Sequence, residues 1–212
     1  MTTSLAQDAI PHGRLVRICG ALAASAGGIA LLGWSFGLPF LASLGSDRDS
    51  DVRAAAAWAL SATETSGNLG EPLLGLLRGE SDADVRLRLY QALGNQESFD
   101  ATAALNIIRN EKDPSARVVG LDLLAKTLAG NPTSPLRSYF DQTALPELTQ
   151  TALSGQNSDD RMAAVVALTR ASTFSAAAVD ALRTLAQQAS DPRVLRSVQS
   201  YLAKLPPQPP PP

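Results

Sequence analysis

The stretch Asp49-Ser50-Asp51-Val52-Arg53, running into Ala54, Ala55, Ala56, Ala59 and Leu60, decides how the chain is read, because it comes back. It returns as Asp82-Ala83-Asp84-Val85-Arg86 with Leu89, Ala92 and Leu93, and as Asp113-Pro114-Ser115-Ala116-Arg117 with Gly120, Leu123 and Leu124. A fourth copy is Asn157-Ser158-Asp159-Asp160-Arg161 with Ala164, Ala167 and Leu168. The fifth, Asp191-Pro192-Arg193-Val194 with Leu195, Val198 and Leu202, has Leu195 where the others have Arg. Recurrence at such a period marks stacked supersecondary units, each unable to bury its apolar face alone.

Each copy reads as the start of a helix. Asp49, Asp82, Asp113, Asn157 and Asp191 are residue types whose side chains accept from the free N–H groups of a first turn. Pro114 and Pro192 follow at the first helical position, where a missing N–H costs nothing. Asp51, Asp84 and Asp159 add negative charge at the positive end of the helix dipole. Small or apolar residues then recur on one helical face, and that face is rich in Ala, so neighbouring helices can approach closely.

These residues resemble the HEAT repeat, in the bacterial variety also found in phycobilisome lyase subunits. The first-helix pieces are Leu38 to Leu44, Pro72 to Leu77, Ala103 to Ile108, Leu145 to Leu148 and Val179 to Leu185. The resemblance implies an all-α chain, an α-solenoid of about five HEAT-like helical hairpins over residues 38–205; the transmembrane-type helix expected before it is read instead from the uncharged run from Ile18 to Leu44. It also implies that the turn Asp and the following Arg form a ladder between neighbouring repeats. Asp51, Arg53, Asp84, Arg86, Arg117, Asp159 and Arg161 are therefore expected to be structural, and the family implies an interaction surface with no reaction attached.

Composition narrows the function further. A formal charge of −2 gives no general attraction to nucleic acid. One Cys and one His leave no disulfide pair and no ligand spacing for a metal. There is no Gly-rich phosphate loop and no nucleophile elbow, so no cofactor is expected and no catalytic residue is assigned. Asp159-Asp160 is explained by its place at a helix N-terminus, and Glu111-Lys112-Asp113 reads as a charged turn. Arg outnumbers Lys and Ala is abundant, a composition typical of GC-rich bacterial genomes.

Residues 1–14 read as an exposed tail interrupted by Pro11 and Gly13. From Ile18 to Leu44 no residue is charged, and at about 20 residues per span this run can cross a bilayer. Residues 15–37 are read as an uncleaved anchor, with Arg14 and Arg17 before it. Cleavage would need a small-residue site after the apolar core, and Ala24-Ser25-Ala26 comes too early. The remaining alternative is a buried terminal helix of the stack. The basic residues before the run favour a cytoplasmic N-terminus and periplasmic repeats at a bacterial inner membrane, although Arg48 and Arg53 weaken the asymmetry. Gly20, Ala24, Gly28, Gly33 and Gly37 carry the small-residue spacing of close-packed membrane helices, so a homo-oligomer through this segment is one expectation. Composition alone also accounts for the spacing.

The interval from Arg117 to Arg161 holds an insertion around Asn131 to Thr143. Insertions in repeat proteins map to loops, frequently on the binding face, and Arg137, Tyr139 and Phe140 form a candidate interaction loop. The alternative is that the two aromatic residues tuck onto the core. Residues 206–212 are proline-rich and read as an extended tail. The expectation for the whole is a membrane-anchored adaptor that docks a protein partner, with a subunit of a chromophore lyase as the alternative.

Overall fold

The computed structural model describes residues 37–62 and 69–205. The tail at 1–14, all but the last residue of the 15–37 segment, residues 63–68 and the 206–212 tail lie outside the described residues. Among the described residues no strand occurs, and the arrangement is all-helical, consistent with an α-solenoid. No helix among them is long and apolar enough to cross a membrane.

The helices follow the repeated phrase in pairs: α1 (Gly37–Ser46) with α2 (Ser50–Ala62), α3 (Gly70–Gly79) with α4 (Ala83–Gly94), and α5 (Ala101–Arg109) with α6 (Pro114–Gly130). Then come α7 (Leu136–Tyr139), a π turn (Phe140–Ala144), α8 (Leu145–Ser154), α9 (Ser158–Ala171), α10 (Ala176–Gln188) and α11 (Pro192–Leu202). The capping side chains of the repeated phrase do what their types allow. Asp49 accepts from the N–H of Asp51, Asp82 from Asp84 and Val85, Asp113 from Ala116, Asn157 from Asp159, and Asp191 from Arg193. Asp100 caps α5 in the same way.

Two layers result. The second helices α2, α4, α6, α9 and α11 each pack on the next, and α1, α3 and α5 form the opposite layer, as do α8 and α10. The core between them runs the length of the described residues as one cluster, including Leu60, Leu73, Leu89, Leu93, Leu121, Leu124, Leu168, Leu182 and Val198. Small residues on the repeated face let the layers close. At Gly120 an added Cβ would lie 2.9 Å from Cγ1 of the fully buried Ile108. Gly120→Ala is expected to destabilise by about 1 kcal/mol net: overpacking of about 1–3 kcal/mol exceeds the helix-propensity gain of about 1 kcal/mol. Gly75→Ala, where nothing lies within 4 Å of the added Cβ, is expected to stabilise. Urea unfolding of the two variants checks the contrast.

After Gly94 and Gly130, a residue type favoured at the end of a helix, the chain turns without left-handed backbone: Asn95 sits at φ −96°, ψ 0° and Asn131 at φ −143°, ψ 82°. Asn95 has another task, donating from Nδ2 to the Ser61 carbonyl at 2.5 Å. One expectation is corrected here: the insertion is less a loop than a helix. Only residues 131–135 are irregular, and from Leu136 the chain winds without a break into α8. The π turn within it has a local cause. Pro146 has no N–H to offer the carbonyl four residues back and its ring crowds that turn. The ladder shifts register, and the Leu145 N–H bonds the Phe140 carbonyl five residues back.

Candidate functional site

The repeated Arg forms a line of ion pairs along one edge of the stack. Arg53 holds Glu80 through Nε at 2.8 Å and Nη2 at 2.9 Å, and Arg86 holds Glu111 at 2.8 Å and 2.5 Å. Arg117 holds Glu147 through Nε and, at 2.8 Å, through Nη2. Arg161 holds Asp191 at 2.9 Å and 2.7 Å. Each Arg also turns Nη1 back on carbonyls at the end of its own unit's first helix or the turn after it: Asp47, Leu77 with Glu80, Ile108 with Arg109, and Gly155 with Gln156. A cation there is favoured by the helix dipole. One guanidinium thus closes its own hairpin and clamps the next.

The acids differ from those that the resemblance implies. Asp51, Asp84 and Asp159 are not the ladder partners. Asp84 is exposed at the head of α4, and Asp159 receives only the exposed Arg193 at 3.3 Å. The partners are Glu80, Glu111, Glu147 and the cap Asp191. Glu80 and Glu111 share a signal in the sequence, an acid two residues before the capping Asp. That spacing organises the turn, since each carboxylate also accepts the backbone N–H groups of the next two residues. The fourth and fifth units have Gly155 and Ala189 at this position. Arg117 accordingly takes its acid from α8, and Arg161 takes it from the cap of the next unit. Leu195 ends the line, with no further unit among the described residues to pair with.

Glu111 is the most enclosed member, its side chain only 4% exposed. It accepts from Arg86, from the Tyr90 hydroxyl at 3.1 Å and from two backbone N–H groups, so burial leaves it satisfied. Burial favours the neutral acid, but Arg86 and the surrounding donors outweigh it and hold Glu111 below the ordinary carboxylate range. Glu80 is lowered by the same balance, with Arg53 and the turn N–H groups against burial. Burial pushes the Tyr90 hydroxyl well above its ordinary value.

A second set of links, not legible in the repeats, joins the far ends of the second helices. Asn95 donates to Ser61, Lys126 to the Gly94 carbonyl, and Arg170 to Asp122 at 3.0 Å. Tyr201 and Ser172 share a hydrogen bond of 2.6 Å between α9 and α11.

The insertion residues divide. Phe140 is fully buried and meets Phe174 edge-on, with ring centroids 5.4 Å apart. Arg137 lies over Phe174 at 5.2 Å and pairs with Asp141 at 2.6 Å. Tyr139 lies under Arg109 at 4.7 Å, and its hydroxyl accepts from Arg117 Nη2 at 3.4 Å. Of the three residues of the candidate interaction loop, none is free: Phe140 is core, and the other two bind within the chain. The exposed large apolar side chains among the described residues are Trp58, 58% exposed on α2, and Val166, 49% exposed on α9.

Along the ladder edge, recesses open between units. The larger of two, about 730 Å³, lies between the second and third units, floored by Leu77, Arg86 and Glu111 and walled by Ala103, Ile107 and Asn106; another of about 530 Å³ lies between the fourth and fifth, at Ser154, Arg161 and Asp191. Arg78 and Lys112 stand exposed at the rim of the larger. Among the described residues no group of three or more His, Cys, Asp or Glu is placed to hold a metal ion. No known family model matches this chain, and neither a curated protein nor a solved structure does.

Proposed function

We propose that this chain is a non-catalytic, membrane-anchored adaptor: an α-solenoid of HEAT-like hairpins that docks a partner protein along its elongated surface. The observation that carries this reading is where the charges of the repeated motif go. Four Arg side chains are engaged in clamping one hairpin to the next, which is the chemistry of a stack held in register. Stacks of this kind bury a continuous core between units and present extended surfaces to partners. Trp58 adds an exposed aromatic side chain on the α2 surface, of a type that anchors interfaces, and Val166 an exposed apolar one on α9. The anchor rests on the uncharged run from Ile18.

The test is affinity purification of the full chain from detergent-solubilised native membranes, with mass spectrometry of what co-purifies. A near-stoichiometric protein recovered repeatedly supports the adaptor; recovery of none overturns it. Carbonate extraction checks the anchor in the same cells. The full chain is expected in the membrane pellet, and a chain lacking residues 15–36 in the supernatant.

A further inference from the structure

The open groove between the second and third units has an occupied counterpart one unit further along. Arg78 and Arg109 hold the same register: each stands at the end of a first helix, two residues before a ladder acid, Glu80 or Glu111. At Arg109 the inserted helix α7 packs against α5 and lays the Tyr139 ring under the guanidinium at 4.7 Å. The same segment runs on to Glu147, which supplies the ladder carboxylate for Arg117. The chain therefore fills this register once with its own aromatic and acidic residues. At Arg78 no insertion precedes α5, and the register opens as the recess of about 730 Å³. Its apolar wall is half-exposed, through Ala103 and Ile107, and no carboxylate of the described residues pairs with Arg78 or Lys112.

Resting on the adaptor reading, we infer that this groove docks an extended partner segment in which an aromatic residue is flanked by carboxylates. The aromatic ring stacks on Arg78 against Ile107, as Tyr139 does under Arg109, and a flanking carboxylate pairs with Lys112. Two observations select this occupant. With Arg86 and Glu111 matched to one another, the rim sets the two unpaired cations Arg78 and Lys112 against the single helix-capping carboxylate Asp113, which favours an acidic segment over a basic one. The internal counterpart shows that an aromatic ring at this register meets the Arg face, an arrangement with attraction beyond contact area. The ladder residues Arg86 and Glu111 at the floor are already matched to one another, so recognition falls to Arg78, Lys112 and the apolar wall.

The probe is a fluorescein-labelled, end-blocked peptide, Ala-Asp-Glu-Tyr-Asp-Glu-Ala, titrated against the full chain in detergent micelles and followed by anisotropy. The expected result is saturable binding that weakens at least about fivefold in Arg78→Ala and again in Lys112→Ala, in keeping with loss of one cation–π and one charge contact. A peptide with Ala in place of Tyr is expected to lose as much, and Arg183→Ala, on an exposed Arg of α10, is expected to change nothing. Ala103→Leu, which narrows the recess from its other wall without changing its charge, is a second variant and is expected to weaken binding as much. Absence of saturable binding, or binding indifferent to Arg78, Lys112 and the Tyr ring, overturns the inference. The partner found by affinity purification separates this failure from that of the adaptor reading: retention on an Arg78→Glu, Lys112→Glu chain keeps the adaptor and discards the groove.

Discussion

Phe140→Ala is expected to destabilise the protein by about 3–5 kcal/mol, the range for a large aromatic side chain removed from a packed core. Phe140 has no solvent exposure, and its edge-on partner Phe174 would face the resulting cavity. The effect reaches beyond lost area, because Phe140 opens the π turn at the point where the inserted helix meets α8. Its loss loosens the seat of Tyr139 under Arg109 and the approach of Glu147 to Arg117. Thermal unfolding of Phe140→Ala beside Tyr139→Phe separates the two contributions. The second variant keeps the ring and removes only the hydroxyl contact with Arg117, so a loss of about 1 kcal/mol or less is expected. An equal loss in both variants would show that Phe140 contributes no more than one hydrogen bond.

Glu111→Ala is expected to cost about 3–5 kcal/mol, since it leaves the Arg86 guanidinium and the Tyr90 hydroxyl enclosed without their shared acceptor. Replacing both partners, as Arg86→Met with Glu111→Leu, is expected to cost less than the sum of the two single changes, because no buried charge is left behind. This pair also sets the acid limb of stability. Glu111 and Glu80 are held below the ordinary carboxylate range in the folded chain, so their pairing stabilises fully above the unfolded value of about 4.3 and is lost as pH falls through their folded values. Urea midpoints measured from pH 6 down to pH 3 are expected to fall steeply for the parent chain and less steeply for Glu111→Gln. A parallel decline in both would assign the acid limb to other carboxylates.

The all-helical layout was legible because its signals are local. Capping Asp and Asn residues, Pro114 and Pro192 at first helical positions, and an Ala-rich face at helical spacing act within one or two turns. The clamping Arg was legible as a recurrence. Its partners were not, because each ion pair spans 25 to 30 residues and crosses to the neighbouring unit. The acid two residues before the cap was the available signal at Glu80 and Glu111, and it fails in the later units, where Gly155 and Ala189 stand instead. At Gly155 the close approach of the backbone leaves little room for any side chain, since an added Cβ would lie 2.7 Å from the Thr151 carbonyl oxygen.

By itself, then, the sequence determined the units of this protein: where helices begin, which faces they bury, and that the Arg of each phrase has a shared task. Those follow from hydrogen-bond capping and periodicity, which act between residues near in the chain. Only the tertiary structure decided what the insertion does. The sequence left open whether Arg137, Tyr139 and Phe140 form an interaction loop or the two aromatic residues tuck onto the core; packing against α6 and the Phe174 ring takes Phe140 into the core, and Tyr139 lies under Arg109. The open register at Arg78 is the converse case. Its recess exists because no inserted segment precedes α5, and a vacancy between two neighbouring units is a property of their spacing in three dimensions.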